Sequence, residues 1–210
     1  MALLDELREA VVDGQAKLTV AHVSQGLADS IDAGTLLREG LIAGMAKVGQ
    51  LYEDGEVFVP EMLVAARAMS AALAVLKPHL VEQGVKSSGK VAIGTVQGDL
   101  HDIGKNLVAM MLEGSGFEIV DLGVDVPPEK FVEAIRQGAN VVAMSALLTT
   151  TMTNMKGIIE AITAAGLRGQ VRILVGGAPI TKAYADEIGA DGYATDASSA
   201  VRVARQVLAA

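Results

Sequence analysis

Residues 91–106 read VAIGTVQGDLHDIGKN, and this stretch decides the fold of the chain. It begins with a mostly apolar run, Val91–Val96, which has the length and composition of a buried β-strand. The next apolar pattern, Ile103–Glu113, has helical spacing. A polar loop, Gly98–Asp102, therefore lies between a predicted strand and a predicted helix. Strand, loop and helix in this order are typical of α/β folds.

The same alternation continues to the end of the sequence. Short apolar runs recur at Val91–Val96, Ile119–Leu122, Val141–Met144, Val171–Val175 and Gly192–Ala194. Helical stretches are expected at Ile103–Glu113, Pro128–Gln137, Met152–Ala165, Lys182–Ile188 and Ser198–Leu208. This pattern predicts a Rossmann-like α/β domain with a doubly wound, flavodoxin-like five-stranded parallel sheet. Such sheets bind ligands beyond the carboxyl ends of their strands, so the loops after the strands are the candidate site.

The first part of the chain has helical periodicity instead. Apolar stripes at Leu3–Val11, Val20–Ile31 and Leu36–Val48 predict three helices. A fourth, Glu61–Leu76, is expected to end before Pro78 because the residue before a proline disfavours helix. Together they predict an N-terminal four-helix bundle. The polar segment 84–90 is a predicted linker between a helical domain, residues 1–86, and the α/β domain, residues 87–210.

The composition excludes several classes of protein. Lys and Arg number 17 against 25 Asp and Glu, which gives a net charge of −8 and argues against a nucleic-acid partner. The sequence has no cysteine, which excludes disulfides, thiolate nucleophiles and thiolate-bound metals. Acidic residues follow Met1 where a signal peptide would be basic, and apolar runs fall short of the roughly 18 residues of a membrane span. We therefore expect a soluble, cytoplasmic protein with no membrane partner.

The loop Gly98–Asp102 carries the densest chemical signal. A neutral histidine binds metal ions through one ring nitrogen, while its second nitrogen normally donates to a carboxylate that fixes the tautomer. Asp99, two residues before His101, can reach that second nitrogen. Gly98 and Gly104 lack side chains and leave room for a bulky group. His101 is therefore the candidate metal ligand, whereas Asp102 also fits a plain helix N-terminal acid.

Later loops place small or hydroxyl-bearing residues at the same edge of the sheet. The third predicted strand is followed by Ser145-Ala146-Leu147-Leu148-Thr149-Thr150-Thr151, the fourth by Gly176-Gly177 and the fifth by Thr195-Asp196-Ala197. A long polar ligand could lie against this edge. The alternatives are that the hydroxyls cap the following helix and that the glycine pair is a simple turn.

Other site types do not fit these loops. The first loop lacks the Gly-Lys-Ser/Thr of a P-loop and the third glycine and later acid of a dinucleotide fingerprint. No Gly-x-Ser-x-Gly elbow is present for a catalytic serine. A phospho-acceptor receiver domain would end its third strand on Asp, where this chain has Ser145.

The motifs Asp99-x-His101-x-x-Gly104, Ser145-x-Leu147 and Gly176-Gly177 together resemble the signature of the cobalamin-binding domain of methionine synthase and its relatives. The segment Gly49-x-x-Tyr52-x-x-Gly55-Glu56-x-Phe58-Val59-Pro60-Glu61 resembles the helical cap before that domain. The resemblance covers nearly the whole chain. It is closest to the small corrinoid carrier proteins of three-component methyltransferase systems.

The resemblance implies that the chain binds cobalamin or a related corrinoid in the base-off, His-on form, with His101 as the lower ligand of cobalt. It implies a hydrogen-bonded relay from His101 through Asp99 to Thr151. Thr151 stands where methionine synthase has Ser, and Tyr52 where it has an apolar aromatic residue. The residues implied to contact the cofactor are Gly98, Asp99, Leu100, His101, Asp102, Gly104, Ser145, Leu147, Thr149, Gly176, Gly177 and Ala197, with Tyr52, Val59 and Met62 of the cap on its methyl-bearing face.

The implied function is that of a methyl carrier. A substrate-side methyltransferase, acting on methanol, methylamines, glycine betaine or methoxylated aromatics as in O-demethylases, would load the corrinoid. An acceptor-side methyltransferase using tetrahydrofolate or a thiol would unload it, and a reductive activase for Co(II) is a further implied partner. The chemistry belongs to the cofactor. The chain is therefore expected to be a non-catalytic corrinoid subunit.

Two other interpretations stay open at this point. A cobalamin-binding sensor combines the same cap and binding domain, but it usually adds a DNA-binding domain and a Trp-x-x-x-Glu-His pattern where this chain reads Tyr52-Glu53-Asp54. The binding subunit of an adenosylcobalamin mutase would lack the methyltransferase-like cap. The residues favour the carrier and leave the methyl donor and acceptor open.

Overall fold

The computed structural model describes residues 2–209, so Met1 and Ala210, the outer ends of the two predicted domains, lie outside the described residues. The chain divides into two compact units. The first comprises the residues up to Ser87 together with Glu113–Gly116, and the second comprises Ser88–Leu112 together with the residues from Phe117 onward.

The first unit is helical, as predicted for the N-terminal region. Its helices are α1 (Ala2–Val12), α2 (Ala16–Ala28), α3 (Ala33–Thr35), a π-helical segment (Leu36–Ile42), α4 (Ala43–Glu53) and α5 (Val59–Glu82). The consecutive α3, π-helical segment and α4 take the place of the predicted third helix. Amphipathic patterning explains the core, since α1 buries Leu4, Leu7 and Val11 on one face.

Helix α5 continues past Pro78, so the predicted end before that residue is wrong. A proline inside a helix removes one donor, here the one that would reach the C=O of Ala74, at a cost of about 3 kcal/mol. The turn beyond it is held by tertiary contacts. Leu80 is buried, and Gln83 Oε1 accepts a hydrogen bond from the N–H of Ala33 at 2.9 Å. Burial and this long-range bond outweigh the local effect of the proline.

By length and composition alone, α5 is long and apolar enough to cross a membrane. Charged residues interrupt the apolar runs of this helix, so the run lengths in the sequence do not indicate a span. Met62, Met69 and Leu76 are fully buried and lie on one face of the helix at heptad spacing. A long apolar helix with one buried face is also typical of the core of a helical bundle.

The second unit has the predicted parallel α/β fold. Within the described residues, its five strands pair in the order β2-β1-β3-β4-β5, and all neighbours are parallel. The strands are β1 (Lys90–Val96), β2 (Glu118–Val126), β3 (Val141–Ser145), β4 (Arg172–Gly176) and β5 (Gly192–Ala194). The helices are α6 (Ile103–Glu113), α7 (Pro128–Arg136), α8 (Thr149–Met152), α9 (Asn154–Ala164), α10 (Lys182–Glu187) and α11 (Ala197–Ala209), with a 3-10 turn at Arg168–Gln170. The strand order reverses between β1 and β3, which is where such sheets bind ligands.

Strand β2 differs from the expectation of a short, fully buried run. It spans Glu118–Val126 instead of Ile119–Leu122, lies at the edge of the sheet and is partly exposed along most of its length. Its pairing with β1 shifts register on both sides of Gly94. An irregular edge strand tolerates polar residues, which interrupt the apolar pattern in the sequence. The added half of β2 carries Asp125 toward the carboxyl end of β1.

Candidate functional site

The loop that joins β1 to α6, residues 97–102 and here called the His101 loop, begins with a tight turn. The N–H of Asp99 donates to the C=O of Val96 at 3.1 Å. Gly98, the third residue of this turn, has a φ of +82°. A positive φ at the third position is that of a type II turn, which favours glycine there. The turn therefore sets the direction in which the chain reaches Asp99.

Asp99 is buried and orients His101. Its Oδ1 accepts hydrogen bonds from the backbone N–H of His101 at 3.0 Å and from the ring Nδ1 of His101 at 2.8 Å. The Asp99 side chain is fully buried, whereas that of His101 is 53% exposed. The protein thus holds the imidazole by one nitrogen and leaves the ring half open to solvent.

The second carboxylate oxygen of Asp99 is bound from the loop after β3. The N–H of Leu147 donates to Asp99 Oδ2 at 2.8 Å, and the hydroxyl of Thr151 donates to the same oxygen at 2.7 Å. His101, Asp99 and Thr151 therefore form a continuous chain of hydrogen bonds that joins the loops after β1 and β3. Leu147 contributes its backbone N–H to this arrangement.

The hydrogen bonds keep Asp99 ionised. Burial alone raises the pKa of Asp99, but the bonds from Leu147, Thr151 and His101 together outweigh it and lower that pKa well below its ordinary value. An ionised carboxylate only accepts hydrogen bonds, so Nδ1 of His101 carries the proton between them. In the neutral ring, Nε2 then holds the lone pair that a metal ion requires.

The surroundings of His101 suit a metal that brings most of its own ligands. Within residues 2–209, no group of three or more His, Cys, Asp or Glu side chains is arranged to hold a metal ion. Exposed apolar side chains lie in the loops that carry and support His101 and at the first position of α6: Leu100, Leu147 and Leu148 in the loops, and Ile103 in the helix. Exposed apolar surface of this kind marks ligand or partner sites. A metal held in a large, partly apolar macrocycle fits both features.

The predicted glycines at this edge of the sheet differ in how much space a side chain would have. A Cβ on Gly104 would meet no atom within 4 Å, and one on Gly98 would come no closer than 3.7 Å to Thr151. A Cβ on Gly177 would lie 1.9 Å from the carbonyl oxygen of Ala146. The close approach of the loops after β3 and β4 therefore requires Gly177, whereas packing does not require Gly104.

The other predicted residues of the second unit lie at the ends of its strands and the starts of its helices. Ser145 and Gly176 are register partners at the ends of β3 and β4. Thr149 begins α8 and is exposed, and Ala197 begins α11 and is buried. Asp102 precedes α6: its backbone C=O accepts a hydrogen bond from the N–H of Asn106, and its Oδ2 accepts one from the side-chain Nδ2 of the same residue.

The predicted cap residues belong to the helical unit. Tyr52 lies near the end of α4 and is partly buried, Val59 begins α5 and is exposed, and Met62 is fully buried within α5. Their contact with a cofactor stays a prediction.

Three polar residues that are not among the predicted site residues hold the His101 loop. Thr95 donates its hydroxyl to the C=O of His101 at 2.9 Å. Asp125 Oδ1 accepts from the N–H of Gly98, and Asn154 Nδ2 donates to the carbonyl group just before that glycine, both at 2.7 Å. A hydroxyl inside the buried run of β1 is a signal that could have revealed Thr95. Nothing local marks Asp125 or Asn154.

Comparison with known families finds B12 binding domains in both units. A family described as B12 binding domain matches residues 89–202, and a second family with the same description matches residues 3–77. The first match contains the His101 loop and the loops after β3 and β4. The second contains the predicted cap residues.

Individual relatives match along the whole chain. A corrinoid protein of Desulfitobacterium hafniense is 42% identical over 213 residues, covering 99% of this chain and 98% of that protein. A trimethylamine corrinoid protein of Methanosarcina barkeri is 44% identical over 209 residues, covering 98% of this chain and 96% of that protein. Among solved structures, the methanol:cobalamin methyltransferase complex of Methanosarcina barkeri has a TM-score of 0.87 at 28% identity, covering 99% of this chain and 80% of that chain.

Proposed function

Because the chain belongs to the family of B12-binding corrinoid proteins of methyltransferase systems, we propose that it carries a methyl group between two partner enzymes. The chain binds cobalamin or a related corrinoid. When bound, the corrinoid supplies a cobalt centre that takes up and releases the methyl group. The observation that carries the proposal is the half-exposed His101, held at Nδ1 by a buried, ionised Asp99.

In this proposal His101 would hold the cobalt of a base-off corrinoid through Nε2. Asp99 holds the proton at Nδ1 and fixes the plane of the ring, because one of its oxygens binds both the backbone and the ring of His101. Thr151 fixes the other oxygen and closes the relay on the β3 side. A carboxylate that accepts a hydrogen bond from the other ring nitrogen raises the basicity of a ligating histidine.

We assign the nucleotide tail of the corrinoid to the carboxyl edge of the sheet. The support is that the predicted residues follow neighbouring strands at the switch point of the fold. The residues proposed to hold the tail or the ring are Gly98, Leu100, Asp102, Gly104, Ser145, Leu147, Thr149, Gly176, Gly177 and Ala197. Tyr52, Val59 and Met62 are proposed for the methyl-bearing face.

The proposed partners are a substrate-side and an acceptor-side methyltransferase. Methylamines and methanol are the first proposed donors, supported by the names of the trimethylamine corrinoid protein and the methanol:cobalamin methyltransferase complex. Glycine betaine and methoxylated aromatics complete the candidates. Tetrahydrofolate or a thiol is the proposed acceptor. A reductive activase for Co(II) completes the system, which we place in the cytoplasm as a soluble assembly.

A methyl-transfer assay with purified components tests the carrier role. The chain is reconstituted anaerobically with hydroxocobalamin, reduced, and mixed with a methylamine- or methanol-type methyltransferase and an acceptor methyltransferase from the same organism. We expect the methylated product to increase with the amount of chain and to vanish with His101→Ala. A chain that binds the corrinoid but neither takes up nor delivers a methyl group with these partners would contradict the carrier role and favour a sensor.

Replacement of Gly104 by leucine is expected to weaken corrinoid binding without weakening the fold. The position is open space in this structure, so a side chain there would occupy room that the proposal gives to the cofactor. An overlap worth about 1–3 kcal/mol corresponds to a roughly 5- to 150-fold loss of affinity. The chain itself should not be destabilised, because a Cβ at Gly104, in the first turn of α6, meets no atom within 4 Å. Titration with hydroxocobalamin and thermal unfolding of the corrinoid-free chain measure the two effects.

Gly157→Leu is the matched control, because Gly157 lies inside α9 and a Cβ there also meets no atom within 4 Å. It should stabilise the chain and leave the affinity unchanged. Wild-type affinity in Gly104→Leu would remove this position from the cofactor site.

A further inference from the structure

The peptide bond between Gln97 and Gly98 is held from both of its polar groups. The C=O of Gln97 accepts a hydrogen bond from Asn154 Nδ2 at 2.7 Å. The N–H of Gly98 donates to Asp125 Oδ1 at 2.7 Å. The C=O and N–H of a trans peptide point in opposite directions. Asn154, at the start of α9, and Asp125, near the end of β2, therefore grip the peptide from opposite sides.

This peptide is the central one of the turn Val96–Asp99 that opens the His101 loop. Type I and type II turns differ by the rotation of their central peptide, which exchanges the directions of its C=O and N–H. Because both groups are bound, only the observed orientation of the peptide keeps its hydrogen bonds to Asn154 and Asp125. The turn leads directly into Asp99, whose carboxylate binds the backbone and ring of His101. The orientation of one peptide therefore bears on the direction of the imidazole.

Asp125 adopts a backbone conformation that residues with side chains rarely use. Its φ is +52°, a region that asparagine and aspartate tolerate better than other non-glycine residues. Its own N–H donates to the C=O of Asp99 at 3.0 Å. Asp125 thus binds the residues on either side of the Gly98–Asp99 peptide, and its side chain reaches Gly98 from a strained backbone. Strain of this kind persists where the surrounding structure requires it and is common at functional sites.

We propose that Asp125 and Asn154 are positioning residues for His101. They hold the Gln97–Gly98 peptide in the orientation that presents Nε2 of His101 to the metal. This inference rests on the proposed role of His101 as the lower ligand of cobalt.

Substitutions at Asp125 and Asn154 separate the effect of backbone strain from that of hydrogen bonding. Asp125→Gly adopts the positive φ without strain and removes the acceptor, whereas Asp125→Asn retains both the conformation and an acceptor. Asn154→Ala removes the donor. We expect Asp125→Gly and Asn154→Ala each to bind hydroxocobalamin about ten-fold more weakly, with part of the bound corrinoid losing its histidine-ligated absorption spectrum. Asp125→Asn should restore affinity and spectrum, and all three should melt close to the wild-type temperature.

Hydrogen exchange at the amide of Gly98 gives a readout that needs no corrinoid. In the corrinoid-free chain this amide should exchange about ten-fold faster in Asp125→Gly and Asn154→Ala than in the wild type or Asp125→Asn. The inference is overturned if Asp125→Gly and Asn154→Ala both bind hydroxocobalamin with wild-type affinity and spectrum and both exchange the Gly98 amide at the wild-type rate. If the wild type itself shows no histidine-ligated corrinoid, the proposed function fails. Unchanged exchange of the Gly98 amide in Asp125→Gly and Asn154→Ala would separately show that these two side chains do not hold the Gln97–Gly98 peptide.

Discussion

Replacing Gly177 by alanine is expected to lower the melting temperature of the chain by about 10 °C. The added Cβ would lie 1.9 Å from the carbonyl oxygen and 2.9 Å from the carbonyl carbon of Ala146. Both are backbone atoms, so no side-chain rotation relieves the overlap. The φ of +125° adds strain for any residue with a side chain. Together these effects amount to roughly 3 kcal/mol or more, and each kcal/mol corresponds to about 2–4 °C in a chain of this size.

Thermal unfolding followed by circular dichroism measures this effect. Gly157→Ala serves as the control, because its Cβ meets no atom within 4 Å inside α9, and it should raise the stability by about 0.5–1 kcal/mol. A Gly177→Ala chain that melts at the wild-type temperature would show that the loops after β3 and β4 do not approach as closely as described.

Replacing Asp99 by asparagine is expected to destabilise the chain by about 3 kcal/mol and to release His101. Each oxygen of Asp99 accepts hydrogen bonds from donors, among them the N–H groups of His101 and Leu147 and the hydroxyl of Thr151. An amide has one oxygen and one NH2 group, so either choice of orientation points a donor at buried donors. Where the NH2 group faces His101, the ring Nδ1–H loses its acceptor, and the histidine-ligated spectrum of bound corrinoid should weaken with it.

The charge of Asp99 also predicts how this loss depends on pH. Burial raises and the hydrogen bonds lower the pKa of Asp99, and the net effect places it below the ordinary value of 3.8. Between the folded and unfolded pKa values the unfolded chain binds more protons, so stability rises with pH in that window. The contribution of Asp99 is therefore complete above about pH 5 and is lost as the pH falls below about 4. The free-energy gap between wild type and Asp99→Asn should be constant near neutrality and narrow in acid.

Chemical denaturation of both chains across this pH range measures the gap. Asp102→Asn is the matched control, because the exposed carboxylate of Asp102 accepts a side-chain bond from Asn106 alone among the described residues. Its effect should stay within about 0.5 kcal/mol. An Asp99→Asn chain as stable as Asp102→Asn would contradict the buried network.

The pattern of the second half of the chain predicts most of its strands and helices, because central parallel strands are buried on both faces. Helix α6 has the predicted bounds, Ile103–Glu113. The prediction fails where a distant contact outweighs a local signal. Pro78 suggests a helix end, but α5 continues because Leu80 is buried and Gln83 accepts a hydrogen bond from the N–H of Ala33. Strand β2 is predicted too short because its second half is polar and irregular.

The resemblance to the cobalamin-binding domain implies the chain of hydrogen bonds from His101 through Asp99 to Thr151, and the structure contains these bonds. The roles of Asp125 and Asn154 could not be predicted, because each binds a backbone group. A hydrogen bond to a backbone group does not require a particular residue type at the bonded position. Asp125 and Asn154 also lie 27 and 57 positions along the chain from the groups that they bind. The sequence therefore indicates the candidate metal ligand and its carboxylate partner more readily than the residues that position their loop.

Nε2 of His101 is the atom proposed to bind cobalt. Electron paramagnetic resonance of the Co(II) corrinoid bound to the chain tests this proposal directly when the histidines carry the heavy isotope of nitrogen. The nuclear spin of ordinary axial nitrogen splits the signal into triplets, and that of the heavy isotope splits it into doublets. We expect doublets from the labelled wild type and their loss in labelled His101→Ala. Triplets from the labelled wild type would mean that the cofactor's own base stays on cobalt, and would contradict the account.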